Sequence, residues 1–245
     1  MLVALWDSPA ADCLESAARS LSWMVERQDG VTCDALVRAR QVDLGLVPAY
    51  HVLAAGRGIQ VLPGGALSSW SFPHAQLQLS RPLQQVRTFT CTPPQVQEAL
   101  MARVILKEHY GVDALPVAGD SADATLHSGS ACETLQAGDN RLNLGQEWFE
   151  LLQYPMVWAL FVCASGTATP AMTAALKTLT SRAEEQLRQQ DRNAIRLRLD
   201  DLALAGLTGL REYLYYYGAI EEMAELPYYQ PDEAGISEPP PPWAT

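Results

Sequence analysis

Long apolar runs are missing from this chain of 245 residues: the longest, Val157 to Ala164, falls well short of the ~20 residues a membrane helix needs. It reads as a buried strand, and no membrane partner is expected. Charged residues make up only 18% of the chain and no basic stripe is visible, which argues against nucleic acid as the main ligand. From Glu212 onward there is no Lys or Arg against seven carboxylates, so most of the net charge of -11 belongs to the C-terminal end. Paired cysteines are missing too. Cys13, Cys33, Cys91, Cys132 and Cys163 are widely spaced with no CxxC pair or neighbouring histidine pair, the pattern of reduced, mostly buried thiols rather than of zinc or a disulfide framework. No GxSxG, Walker or GxGxxG motif occurs, since Gly56-Arg57-Gly58 lacks the third glycine. No metal and no cofactor are expected. Met1 to Asp7 puts no basic stretch ahead of a long apolar segment, so a secretory signal is not expected and a cytoplasmic location is.

What is present is a packed composition, 48% hydrophobic with a mean hydropathy of -0.04. The length suits one large domain or two lobes, and a homodimer is among the assemblies it allows. Leu2–Trp6 is a short apolar run, Asp7-Ser8-Pro9 a loop, and Ala10 to Val25 carries Leu14, Ala17, Leu21 and Met24 at helical spacing. A helix around Cys33 to Arg40 leads to an apolar strand at Val42 to Val47, and further strands are expected near residues 60–63 and 76–79. Such alternation predicts a mostly parallel sheet. Val86 to Thr92, then Pro93-Pro94 and a helical stretch from Val96 to His109, repeat the opening strand-loop-helix order. Short strands follow at 115–118 and 124–127, then the Val157 strand. Helices are expected from Pro170 to about Gln190, over 198–204 and over 209–218, with Glu184 and Arg188 as a pair on a solvated face. The expected division is a first lobe of residues 1–85 and 164–230, a second lobe of 86–163, and an extended Pro-rich tail at 231–245.

Two such lobes leave a cleft, and helix N-termini at its edge suit a small anionic carboxylate ligand. Candidate contacts follow from position, each with a structural alternative. Asp7 and Ser8 sit just past the first strand, where either could cap the next helix instead. Ser68 and Ser69, with Ser71, offer hydroxyls or simply form a Ser-rich turn. Thr92 and Gln97 stand at the head of the second-lobe helix, and Ser128-Gly129-Ser130 has a small middle residue open to a ligand. His74 and His127 lie near cleft loops. Trp148, Trp158 and Tyr215-Tyr216-Tyr217 read as core.

Asn143-Leu144-Gly145-Gln146-Glu147-Trp148, followed by Pro155-Met156-Val157-Trp158-Ala159-Leu160, resembles the "DLGxEW" and "LPFVxAxW" segments of a menaquinone-biosynthesis family. That family contains chorismate dehydratase and the dihydroxynaphthoate synthase of the futalosine route. Asp43 to Pro48, Leu62-Pro63-Gly64 with Ser68-Ser69, and Ser80-Arg81 match its other segments in order. The resemblance implies an α/β, two-lobed type II periplasmic-binding-protein-like fold with a central cleft. Gly129 falls where the dehydratase branch carries a glycine and the synthase branch a catalytic histidine, and Glu147-Trp148 also resembles the dehydratase side. The implied activity is loss of water from chorismate. The first-strand loop Trp6 to Ala10 lacks that branch's Asn, His74-Ala75 replaces its Lys-Ser, Thr92 to Glu98 replaces its hydroxyl-rich helix start, and Ser130 replaces its Asp. A second expectation is therefore a binding protein on the same scaffold that captures an anionic metabolite without chemistry, and Glu98 would repel a carboxylate if it faced the cleft.

Overall fold

A computed structural model describes residues 1–55, 57–91, 96–119, 121–135, 140–223 and 225–230. The tail at 231–245 lies outside the described residues. The chain opens with strand β1 (Leu2–Trp6), whose three middle residues are buried, and helix α1 (Ala11–Ser20), which buries Ala11, Cys13, Leu14, Ala17 and Ala18 along one face. Leu21 and Met24 continue the helical spacing, yet the amides of Leu21 and Trp23 both turn back to the Ala18 carbonyl and close the helix. Met24–Gln28 is instead an edge strand, β2, parallel to β1. Helix α2 (Gly30–Arg38) follows, capped by Asp29, whose carboxylate accepts from the amides of Val31 at 2.9 Å and Thr32 at 3.0 Å. Then come β3 (Leu44–Pro48), buried throughout, α3 (Ala49–Ala55) and the long β4 (Ile59–Ser69).

The chain crosses at residues 70–74 into a second sheet. Its elements are β5 (Ala75–Leu79), β6 (Thr88–Cys91), α4 (Val96–Val104) running into a π-helical turn at Ile105–His109, β7 (Leu115–Val117), β8 (Ala124–Ser128), β9 (Arg141–Asn143) and α5 (Leu144–Leu152). It returns at 153–155 as β10 (Met156–Ala164), followed by α6 (Pro170–Gln189), the short β11 (Ile195–Arg196) and α7 (Asp201–Tyr216). The first sheet runs β11-β4-β10-β3-β1-β2 and the second β7-β6-β8-β5-β9. The lobe boundaries therefore differ from those expected: β5 belongs to the second lobe and β10 to the first.

Neither sheet is mostly parallel. β10 lies antiparallel between β3 and β4 because it re-enters the first lobe from the far side, and β5 is antiparallel to both β8 and β9. The C-terminal helices expected at 198–204 and 209–218 are one helix, α7, capped by Asp200, and it packs on β10 and on the return crossover. Its two inner glycines permit this. A Cβ on Gly206 would stand 2.1 Å from the Pro155 carbonyl oxygen, and one on Gly209 would meet Leu152 at 2.9 Å. Glu184 is not on a solvated face: it is buried, accepts from the Leu197 amide at 3.0 Å and pairs with Arg198 at 2.7 Å as well as Arg188 at 3.5 Å. Among the described residues no helix is long and apolar enough to cross a membrane.

The outgoing crossover is fastened to one residue of the motif. The Asn143 side-chain oxygen Oδ1 caps α5 through the amides of Gly145 and Gln146, and also accepts from the Phe72 amide at 2.9 Å. Its Nδ2 donates to Ser71 Oγ at 3.0 Å. Gly145 must stay small, because a Cβ there would lie 2.7 Å from the Phe72 nitrogen. Phe72 in turn stacks on Trp158 of β10 at 3.9 Å between ring centroids. Outgoing and returning chain thus share one buried joint.

Candidate functional site

The cleft is built from strand ends. β1 stops at Trp6, the Asp7 amide still bonds across to the Gln28 carbonyl at 3.0 Å, and the Ser8 carbonyl accepts from the Ala11 amide at 2.9 Å to turn the chain into α1. The cap position of α1 is Ala10, so no side chain satisfies the first amides of that helix. Arg192, just past α6, donates Nη1 to the Pro9 carbonyl at 2.6 Å and fixes this loop from the opposite end of the sequence. From the second lobe come His74 and Gly129, linked by a 2.9 Å bond from the Gly129 amide to the His74 carbonyl. Gly129 has φ +62°, and a side chain there would meet no atom within 4 Å, which leaves its backbone facing open space.

These groups enclose a cavity of about 170 Å³ between the lobes, walled by the Asp7–Pro9 loop, Asp12, Arg27 and Arg192 on one side and His74 and Gly129 on the other. A neighbouring cavity of about 280 Å³ shares Pro9, His74 and Arg192 and extends to Ser71 and Ile195. Each alone is smaller than the roughly 300–1,000 Å³ of ordinary small-molecule sites; side by side they reach that range.

The charges divide unevenly. Asp7 and Asp12 are both held by Arg27, with Asp12 at 2.6 Å and Glu15 at 3.6 Å from the same guanidinium. The bond to Asp7 holds Arg27 more firmly protonated than a free arginine. Among the described residues no carboxylate lies within 4.0 Å of Arg192, although Asp191 lines the adjoining cavity, so Arg192 is a cation left without an ion pair beside a loop whose carboxylates are held by Arg27. Ser8 Oγ is shut off from solvent and has no hydrogen-bond partner, at a cost of about 1–3 kcal/mol unless something supplies one.

Of the residues singled out from sequence, Asp7, Ser8, His74 and Gly129 line this cavity together. Thr92 and the side chain of Ser130 lie outside the described part of the structure. Ser128 is buried at the end of β8, paired with Ala75. Ser68 and Ser69 do not form a turn: they are the last two residues of β4, buried, and Ser69 Oγ accepts from Trp158 Nε1 at 2.8 Å. Gln97 is spent on the joint between the lobes, accepting from the Tyr50 amide at 2.8 Å and donating to the Trp158 carbonyl at 3.0 Å. His127 Nε2 lies 3.1 Å from Gln78 Oε1. Glu98 is buried rather than facing the cavity, and desolvation raises its carboxyl to about 7. Arg27 and Arg192 went unnoticed in the sequence. Nothing near Arg192 in the chain marks it, because its partner Pro9 is 183 positions away.

Two sheets joined by two crossovers, with an inter-lobe cavity at the strand ends, define a protein of the periplasmic-binding-protein fold. The sequence matches the menaquinone biosynthesis family over residues 7–214, and the chain belongs to that family. No curated protein matches it. Among solved structures, the periplasmic aliphatic sulphonate binding protein SsuA of Escherichia coli is similar with a TM-score of 0.70 at 10% identity, over 94% of this chain and 92% of that one. A structural-genomics protein of Archaeoglobus fulgidus gives 0.61 at 15% identity, over 89% and 98%. A Candida albicans protein with the generic periplasmic binding protein fold gives 0.55 at 10%, over 95% and 98%.

Proposed function

We propose that the chain is a chorismate dehydratase-like lyase of menaquinone biosynthesis, removing water from chorismate to give 3-[(1-carboxyvinyl)oxy]benzoate. The observation that carries this reading is Arg192, in an ion pair with no carboxylate among the described residues, beside the unpartnered Ser8 hydroxyl and the uncapped end of α1, in a cavity of a chain from that family. Arg192 takes one carboxylate of the dianion as a charge-assisted pair, while Ser8 Oγ and the α1 amides donate to it. The aliphatic sulphonate ligand of the Escherichia coli neighbour is likewise an anion, which fits a cleft of this kind.

The reaction breaks a ring C–H and the ring C–O bond to the hydroxyl, and the product ring is aromatic, so the driving force lies in the product. The protein holds the substrate and places proton carriers. Asp7 and Asp12 are both committed to the Arg27 guanidinium; a carboxylate of the substrate itself takes the ring proton. His74, on the second-lobe wall of both cavities, is the side chain placed to protonate the departing hydroxyl.

The tied aspartates also favour the second reading, capture of an anionic metabolite without chemistry. Incubation of the purified protein with chorismate, followed by ultraviolet absorbance of the aromatic product, separates the two. Turnover is expected. Absence of turnover with saturable protection against heat would leave only the binding reading, and absence of both would remove chorismate as the ligand.

A further inference from the structure

We propose that His109, Glu147 and Glu150 form a binding site for a divalent transition-metal ion of the zinc type on the second lobe, separate from the cleft. His109 Nε2 lies 3.8 Å from Glu150 Oε2 and 4.0 Å from Glu147 Oε2, and one donor atom from each of the three falls within 4.8 Å of the others. Zinc with bonds of ~2.0–2.2 Å to nitrogen and carboxylate oxygen places tetrahedral donors roughly 3.4 Å apart, so small side-chain rotations close the set. One imidazole and two carboxylates leave the fourth position for water.

The local backbone supports the same assignment. Glu147 and Glu150 are one turn apart on α5 and share a face. His109 is the last residue of the π-helical turn at Ile105–His109, a widened turn of the kind often found where a helix presents functional side chains. Tyr110, the next residue, donates its hydroxyl to Glu147 Oε2 and so fixes that carboxylate from outside the donor set, as outer partners of metal ligands do.

Charge balance points to a cation. Two carboxylates face one imidazole, Glu147 is buried, and the neighbouring Lys107 is committed to Asp113 at 3.0 Å. The donors escaped the sequence reading because His109 and the two glutamates stand far apart in the chain, with no motif linking them. Glu147 belongs to the Asn143–Trp148 motif, so an ion here would brace the helix whose start pins the outgoing crossover.

The test uses the full chain, dialysed against a chelator and then against buffer, titrated with zinc sulphate alone by calorimetry. The expected result is one ion per chain. His109→Gln and Glu150→Gln should each weaken binding at least ten-fold, while His127→Gln leaves it unchanged. Both positions are partly exposed, at 26% and 47%, and circular dichroism of the metal-free variants checks their fold. Cobalt(II) should give visible absorption of a low-coordinate nitrogen–oxygen site, and this decides the matter if either variant fails to fold. No saturable zinc binding by the wild type, or binding that both variants leave unchanged, overturns the proposal. Chorismate turnover is read separately, so failure of the metal site and failure of the lyase reading are distinguishable.

Discussion

Ser69 is worth more to the core than to the cleft. Its Oγ accepts the indole N–H of Trp158 at 2.8 Å in a place closed to water. Ser69→Ala strands that donor and should lower the unfolding free energy by about 1–3 kcal/mol, read as a lower urea midpoint with an unchanged slope. An unchanged midpoint would show that the indole finds another partner. Glu98 makes the opposite kind of prediction. Its carboxyl, raised to about 7 by burial, is above the unfolded value of 4.5. The folded state therefore holds the proton more tightly between those two values, and stability falls as pH rises through that window. The loss is complete above about pH 7 and absent below the unfolded value; its upper bound is roughly 3 kcal/mol. Glu98→Gln should raise the melting temperature clearly at pH 8 and hardly at pH 4.5. Equal effects at both values would mean that Glu98 stays charged in the fold.

Among the elements, α7 tests whether close approach or helix propensity decides. Alanine in place of a helical glycine normally gains about 0.5–1 kcal/mol, but at Gly206 the added carbon would stand 2.1 Å from the Pro155 oxygen, a backbone atom that cannot rotate away. Gly206→Ala should lower the melting temperature by several degrees, since overpacking of this kind costs about 1–3 kcal/mol. A higher melting temperature would show that the crossover yields. The same helix shows where sequence reading runs out. The helix start expected at Gly209 lies inside one continuous helix, and only its packing partner Leu152, distant in the chain, explains this glycine as a close contact. The helical spacing of Leu21 and Met24 carries the expected helix past its real stop into the first two residues of β2. The long apolar β10, the strand ends at Trp6 and Ser128, and the α5 motif were readable, since burial and motif are local properties. Sheet order and direction were not, because β10 and β5 take theirs from chain that crosses between lobes.

For the whole molecule, the cleft is a product of those two crossings. They run side by side through Asn143, Phe72 and Trp158, while Gln97 ties α4 to the Tyr50 amide and the Trp158 carbonyl. The two sheets share this joint, and the cavity opens where the Asp7–Pro9 loop and Arg192 face His74 and Gly129. Four of the residues read from sequence, Asp7, Ser8, His74 and Gly129, reach that cavity, because loops that join strands meet at the mouth of any two-lobed α/β fold. Arg192, the cation beside the Asp7–Pro9 loop, was hidden, being brought there by a helix that starts at Pro170 and ends far from β1 in sequence. The most direct measurement is calorimetric titration of chorismate into the wild type and Arg192→Gln. One-to-one saturable binding by the wild type is expected, weakened about 10- to 100-fold in the variant, the loss that follows when a charge-assisted bond of about 1.5–3 kcal/mol is removed. Equal affinity in the two proteins, or no binding to the wild type, would contradict the placement of an anion at this cleft.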